Sequence, residues 1–509
     1  MESRPTSTAA RASREGAARR PSRLTLPVVL VGVALVAMSI SGTAIALPSI
    51  GQDLSASGSA LNWVVAGYNL SFAAMTLVAG AASDRVGRRR IFIVAAVVFS
   101  AGFSATALAP SILVLDIARI ISGIGGAGVM AAGGAILASS YAGAARNRAF
   151  AFMGTMAGVG IAIGPTLVGG LISLAGWRGS FVTFAVLGAL IACGASRLQE
   201  SRADRIRTDW IGSSLFVATL SAFMLALLEG PDVGWAHPMT VSAFAIGGLA
   251  FISFVIAQLR SAAPVLAPEL VRERGFMGWC LATLTTSIGF LGALVFLPTY
   301  LQAVAGSTPA AAGLTMLLLT APVLVAPVLA VTLVNRGVSA RRLILTALVL
   351  VVAGNFGLLL LGPEHTTALV TVPLLLIGIG MGASFGITDG QAMSLVPARL
   401  VGTAAGFLNT LRGAAEALVI AVFSAMLLAF LTIRLGDSDR AARVAAGDLS
   451  SINGHDYGIE VDAFTVSWHF TQLGIGAVCL LLSVAVALLL LSPQRSIPEK
   501  VDRHAPHPR

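Results

Sequence analysis

The chain has 509 residues, of which 56% are hydrophobic and 11% charged, against roughly 25% charged in a soluble domain. That composition excludes a soluble globular protein. The net charge of +10 points either to an anionic partner or to membrane topology, and its distribution along the chain decides between them.

Residues 1–23 carry six Arg among Ser, Thr, Ala and Pro and read as a disordered basic cytoplasmic tail. Fourteen apolar stretches follow, at 25–48, 61–82, 91–109, 112–138, 149–173, 179–196, 211–229, 239–259, 276–303, 310–334, 343–362, 367–388, 403–431 and 467–492. A bilayer-crossing helix needs about 20 such residues. Only helices and closed barrels satisfy their backbone in lipid, and these runs lack the alternation of barrel strands. Ala44-Ile45-Ala46 is superficially like a signal-peptidase site, but the run before it is too long and further spans follow, so span 1 is read as uncleaved.

With a cytoplasmic N-terminus, 27 of the 33 Lys and Arg fall in cytoplasmic segments, Arg178, Arg434, Arg440 and Arg443 fall outside, and Arg119 and Arg412 lie within spans. That is the positive-inside asymmetry, so the basic charge is topological and no nucleic-acid partner is expected. Both termini, including the tail 495–509, are then cytoplasmic, and 432–466 is a long external loop. The 32-to-1 excess of Arg over Lys suggests a high-GC bacterial genome and hence a bacterial inner membrane. Cys193, Cys280 and Cys479 all lie in apolar spans, which favours neither a disulfide framework nor a metal site.

Between spans 2 and 3, Gly80-Ala-Ala-Ser-Asp84-Arg85-Val-Gly87-Arg88-Arg89-Arg90 forms a short charged turn, with Gly80 and Gly87 permitting tightness and the arginines anchoring it. Asp84 lies among cations and helix ends with which it can pair. Span 4 holds Asp116 and Arg119. A buried guanidinium costs at least about 3 kcal/mol at the bilayer centre, and Asp116, one turn earlier, is a possible counter-ion. Span 5 carries Gly160, Gly164, Pro165 and Gly169, a pattern for close backbone approach with a proline bend. Trp63, Tyr68 and Asn69 in span 2 suit either packing or an aromatic cavity for flat or cationic compounds. In span 13, Glu416 lies about a turn beyond Arg412 on the same face, so the two either pair or leave Glu416 free to carry a proton or a cationic drug. A faint repeat at an offset of 255 relates Gly123-Ile124-Gly125 to Gly378-Ile379-Gly380, as in carriers built from parallel halves around a midplane site. No Walker loop, redox motif, catalytic elbow or metal-ligand cluster is visible; neither enzymatic activity nor a cofactor is expected.

Taken in order, several of these segments resemble the fourteen-helix drug:proton antiporter branch of the major facilitator superfamily. They are the turn Gly80–Arg90, Leu115-x-x-x-Arg119-x-x-Ser122-Gly123, Gly160-x-x-x-Gly164-Pro165-x-x-x-Gly169-Gly170, Gly176-Trp177-Arg178, Asp209-Trp210-Ile211-Gly212, Pro298-Thr299-Tyr300-Leu301-Gln302, and Gly402-Thr403-Ala404-Ala405-Gly406-x-x-Asn409-Thr410-x-Arg412. The resemblance implies an all-α polytopic fold with two six-helix bundles (24–200 and 263–494) and two linking helices (201–262). It implies a conformational latch at Gly80, Asp84, Arg85, Gly87 and Arg88, and an Arg119 that faces the cavity and takes part in proton transfer or tunes it; Asp116 and Glu416 are further proton-coupling candidates read from the residues themselves. The substrate-cavity candidates read from the residues are Trp63, Tyr68, Asn69, Asn409 and Arg412, with packing as the alternative for the aromatics. The expected partners are a small-molecule substrate, protons and the bilayer, and the expected state is monomeric. Two residues depart from the family pattern: Ser39 stands where an acid is usual in span 1, and Glu416 where a small residue is usual. The function expected is proton-coupled efflux of hydrophobic or cationic compounds. A dedicated exporter of an endogenous metabolite is the alternative, and a non-transporting sensor is a weaker one.

Overall fold

The computed structural model describes residues 22–141, 143–202, 210–261, 270, 272–363, 366–396, 401–449 and 454–491. The tails, Asp209, Arg399 and 450–453 lie outside the described residues, as do the side chains of Asp84 and Asn409. Among the described residues every regular element is helical. In chain order these are α1 (Thr25–Gly42), α2 (Leu47–Leu54), α3 (Gly58–Val86), α4 (Arg88–Ala107), α5 (Ile112–Ser140), α6 (Gly143–Ala195), α7 (Trp210–Val233), α8 (Pro238–Arg260), α9 (Arg274–Ala303), α10 (Pro309–Asn335), α11 (Ala340–Gly357), α12 (Thr366–Ser394), α13 (Val401–Leu435), α14 (Ser438–Ala445) and α15 (Gly454–Leu491). A 3-10 turn, Thr43–Ala46, joins α1 to α2 in one continuous crossing.

Twelve of the described helices are long and apolar enough to cross a membrane. One of them, α6, is broken at Gly176 (φ 70°, ψ 174°) and so makes two legs. Counted separately those legs give thirteen, and the 29-residue α3 is a further long helix packed among them. Helices α1, α3, α4, α5 and α6 pack on one another, as do α9 to α13 and α15. The pair α7–α8 packs together at the periphery, with α7 touching α3 in one group and α13 in the other. Two seams join the groups, α6 against α10 and α3 against α13.

Two boundary expectations need correction. Gly80 is not part of the turn: α3 continues through it to Val86, and Gly87 alone (φ 131°) breaks the helix. The segment 432–466 is not an extended loop either. Helix α13 runs on to Leu435, α14 occupies Ser438–Ala445, and α15 begins at Gly454. Polar residues extend these helices beyond the apolar run because Asp437 caps α14, accepting from the Asp439 and Arg440 amides. A 2.7 Å ion pair from Arg440 Nε to the buried Glu460 then ties α14 to α15.

Candidate substrate and proton site

Between the two groups of helices lies a cavity with two confluent lobes of about 450 and 590 Å³ that share Ala157, Ile161, Phe385 and Arg412. Its walls come from α1 (Ala37, Ile40), α3 (Phe72, Thr76), α5 (Met130, Gly134), α6 (Phe150, Met153, Gly158), α10 (Val323, Pro327, Val331), α12 (Phe385, Asp389) and α13 (Arg412, Glu416). These positions lie toward the end of the bundle that carries the turns at 86–88 and 335–340. At the opposite end the groups are sealed by bonds across the seams. Thr166 Oγ1 donates to the Gly313 carbonyl (2.9 Å), Thr320 Oγ1 to that of Ala162 (2.6 Å), and Gln302 Nε2 to that of Ile45 (3.2 Å). Asn62 Nδ2 donates to Ser424 Oγ. These contacts hold the two groups together at that end.

Its lining is mostly aliphatic, with Phe72, Phe150, Phe385, Met130 and Met153 supplying adaptable surface for flat apolar molecules, and it holds three ionisable side chains. Arg412 Nη2 pairs with Asp389 Oδ1 at 2.9 Å, and its guanidinium lies over the Phe385 ring, 4.7 Å from the centroid. Glu416 lines the same lobe. The ion pair between α13 and α12 therefore runs from Arg412 to Asp389, and Glu416 is not among the Arg412 ion pairs described. Two carboxylates against one guanidinium give the chamber a single formal negative charge, suited to an amphiphilic cation. Asp389 was missed in the sequence because it falls one residue past the apolar run ending at 388. An acid just beyond a span reads as an interfacial residue.

Trp63, Tyr68 and Asn69 do not line this cavity; Phe72 and Thr76, one and two turns further along α3, do. Tyr68 and Asn69 are buried within the first group. Trp63 Nε1 donates to Glu229 of α7 (2.9 Å), and Ser59 adds bonds to Glu229 and Asp232. Arg119 does not line the cavity either. It is 1% exposed, its Nε donates to the Val64 carbonyl (2.9 Å) and its Nη2 to Thr43 Oγ1 (3.3 Å). Tyr68, Phe103 and Phe181 surround the guanidinium, with ring centroids 4.4, 5.3 and 5.7 Å away. The expected pairing with Asp116 is not formed, and Asp116 Oδ1 has no hydrogen-bond partner. The Val64 carbonyl, the Thr43 hydroxyl and aromatic faces surround the cation instead.

Gly160, Gly164 and Gly169 of α6 are packing contacts of two kinds. A methyl group at Gly160 or Gly164 would run into α1, at Ala34 and Ala37 or at Ser41 and Met38, within one group. A methyl at Gly169 would overlap the Pro309 carbonyl of α10, across the seam, and one at Gly313 would lie 2.6 Å from the Pro165 carbonyl. Trp177 and Arg178, just after the Gly176 break, both bond Asp53 at the end of α2.

At the turn between α3 and α4, Glu200 supplies what the sequence did not reveal. Its carboxylate accepts from the Arg89 and Arg90 amides (3.0 and 3.2 Å) and lies within 4.0 Å of both side chains, an anion seated on a helix N-terminus. Gly87 is required twice over, by its positive φ and because a methyl there would meet Glu200 Oε1 at 2.7 Å. Gly80, by contrast, faces open space. Glu200→Ala should lower the stability of the purified protein by about 1–2 kcal/mol, read as a lower thermal midpoint. An unchanged midpoint would contradict this capping role.

A bundle of two helical groups closed at one end around an amphiphilic chamber is the architecture of a membrane carrier. The chain belongs to the Major Facilitator Superfamily, whose profile matches residues 29–420. It is 31% identical over 420 residues to the multidrug resistance protein Stp of Mycobacterium tuberculosis (strain CDC 1551 / Oshkosh), covering 82% of this chain and 78% of that protein. It is 27% identical to the tetracenomycin C resistance and export protein of Streptomyces glaucescens over 81% of this chain and 76% of that one. Among solved structures, a bacterial homologue of the human lysosomal transporter Spinster, inward-facing and unoccupied, shares the fold with a TM-score of 0.67 at 16% identity, over 93% of this chain and 98% of that chain.

Proposed function

We propose that the protein is a proton-coupled antiporter that exports hydrophobic or cationic compounds across a bacterial inner membrane. The observation that carries this reading is the chamber between the two groups, where Glu416 and the Asp389–Arg412 pair stand among Phe72, Phe150, Phe385, Met130 and Met153 while the far end is sealed. With both termini cytoplasmic, as the distribution of arginines supports, the chamber faces the cytoplasm and the bonded end faces outside. Residues 24–200 and 263–494 then act as the moving halves and 201–262 as a linking pair, with the carrier working as a monomer and forming no covalent intermediate. Substrate enters from the cytoplasm, the halves rock, and the seam between α6 and α10 opens to release it outside. A proton arriving from outside neutralises Glu416, weakens its hold on a cationic drug and favours return. The coupling can only be as large as the difference in affinity between the two states.

The latch reading also fits this state. Gly80 faces open space on the cytoplasmic side, where the halves stand apart, and it would become a close contact once they shut. The resistance and export proteins it resembles support drug efflux. One of them is named for a single antibiotic, which keeps a dedicated exporter as the second reading.

Purified protein in liposomes, given a pH gradient and no ATP, should accumulate the lipophilic cation tetraphenylphosphonium and lose it when the gradient is collapsed. Accumulation that requires ATP and ignores the gradient would refute the proposal.

A further inference from the structure

Resting on that antiport reading, we infer that Asp389 sets the charge selectivity of the chamber, by holding the Arg412 guanidinium on α12 and so leaving Glu416 available to a cationic substrate. Asp389 is then a positioning residue. It acts on the substrate through Arg412 and not by contact.

Helix α12 presents a cradle for the guanidinium. Phe385 and Asp389 are four residues apart in α12 and so share one face of the helix. The Arg412 guanidinium lies over the Phe385 ring, 4.7 Å from its centroid, while Nη2 donates to Asp389 Oδ1 at 2.9 Å. A ring beneath the plane and a carboxylate at its edge suit the two ways in which arginine binds, stacking and directed hydrogen bonding. The Arg412 side chain is drawn in to 15% exposure, whereas Asp389 keeps 51%. Only one charge of the pair is thus taken far out of water, which keeps the desolvation cost of holding it low.

The two lobes separate the two carboxylates. Asp389 lines the 590 Å³ lobe and Glu416 the 450 Å³ lobe, while Arg412 and Phe385 line both and form the partition. Arg412 and Glu416 are also four residues apart, on one face of α13, and the charge of Arg412 acts on Glu416. The guanidinium therefore has a carboxylate on each side of the partition, and its hydrogen bond goes to the Asp389 side. On α13 the cation precedes the acid, the less favourable order for a pair along a helix, so the partner across the helices wins. Arg412 and Asp389 cancel in the larger lobe, and the smaller lobe keeps the negative charge of Glu416 among uncharged walls such as Ile40, Phe72, Met130 and Met153.

Loss of the Asp389 charge is then felt at Glu416. In Asp389→Asn the guanidinium loses its partner, swings along α13 to Glu416 and cancels the charge that a cation would meet. The chamber becomes formally neutral, and an anion of the same shape is no longer repelled. A simple loss of one negative charge would weaken cation binding whether or not Glu416 and Arg412 were present. Positioning requires both.

A double-mutant cycle on tetraphenylphosphonium binding to the purified full-length protein, at one fixed pH, tests this. Asp389→Asn and Glu416→Gln should each weaken binding at least about fivefold, and together by little more than either alone. In an Arg412→Gln background, Asp389→Asn should change binding by less than about twofold, because no guanidinium is left to hold. Asp389→Glu keeps the pair and should lose much less than Asp389→Asn. Tetraphenylborate, alike in shape and opposite in charge, should bind Asp389→Asn more tightly than wild type, a gain that a folding defect would not produce. Losses that multiply in the double variant, or an Asp389→Asn loss that survives Arg412→Gln, would overturn the positioning role and leave antiport standing. Wild-type protein that neither binds tetraphenylphosphonium nor exchanges it for protons would overturn the antiport reading instead.

Discussion

Glu416→Gln should leave the protein folded and able to bind a neutral substrate while removing accumulation driven by a pH gradient. Burial of a carboxylate is costly, so Gln at this site should be close to neutral for stability. The loss falls on coupling, which in carriers and allosteric proteins is on the order of 1–3 kcal/mol, roughly 5- to 150-fold. A fall of that size in the accumulation ratio is expected for tetraphenylphosphonium, with a smaller change for an uncharged dye. Were Glu416 merely the partner of Arg412, adding Arg412→Gln would restore transport. Arg412 instead pairs with Asp389, so the double variant should be worse than the single, having stranded a second carboxylate in the chamber. Recovery in the double variant would return Glu416 to a structural role.

Gly169→Ala is the second large effect. The added methyl overlaps the Pro309 carbonyl of the other half and meets nothing closer within its own. Overpacking of this kind costs about 1–3 kcal/mol, and the cost falls only on the state in which the seam is closed. The population should shift toward the state open at the far end by roughly 5- to 150-fold, with transport impaired and folding intact. Spin labels at Leu108 and Ile433, each nearly four-fifths exposed at the sealed end of the two groups, should report a longer separation in the variant. Gly164→Ala provides the contrast, because its obstacles, Ser41 and Met38, belong to the same half. It should lower the thermal midpoint without lengthening that distance. Identical distance distributions for Gly169→Ala and wild type would remove the seam from the mechanism.

The crossings were legible in the sequence because each rests on a long run of uncharged residues, and a run of that length has no other stable home in lipid. The helix limits were less so, as at 432–466, where capping by Asp437 and the Arg440–Glu460 pair stabilise polar helix that hydropathy cannot see. Within the site, Arg412 and Glu416 announced themselves as charges inside a span and both face the chamber. Asp389 and Glu200 did not, since each stands just outside an apolar run and acquires its role from a partner distant in sequence. Aromatic character misled in α3: Trp63, Tyr68 and Phe72 look interchangeable along the chain, yet only Phe72 lies below the closed seam, where the halves part.

The most direct measurement is the proton count on binding. Tetraphenylphosphonium added to detergent-solubilised protein in weakly buffered solution, at a pH where Glu416 is partly protonated, should release up to about one proton per bound cation. Glu416→Gln should bind more weakly and release none. Release that persists undiminished in Glu416→Gln, or tight binding by wild type with no release at any pH between 5 and 9, would contradict competition between drug and proton for this carboxylate.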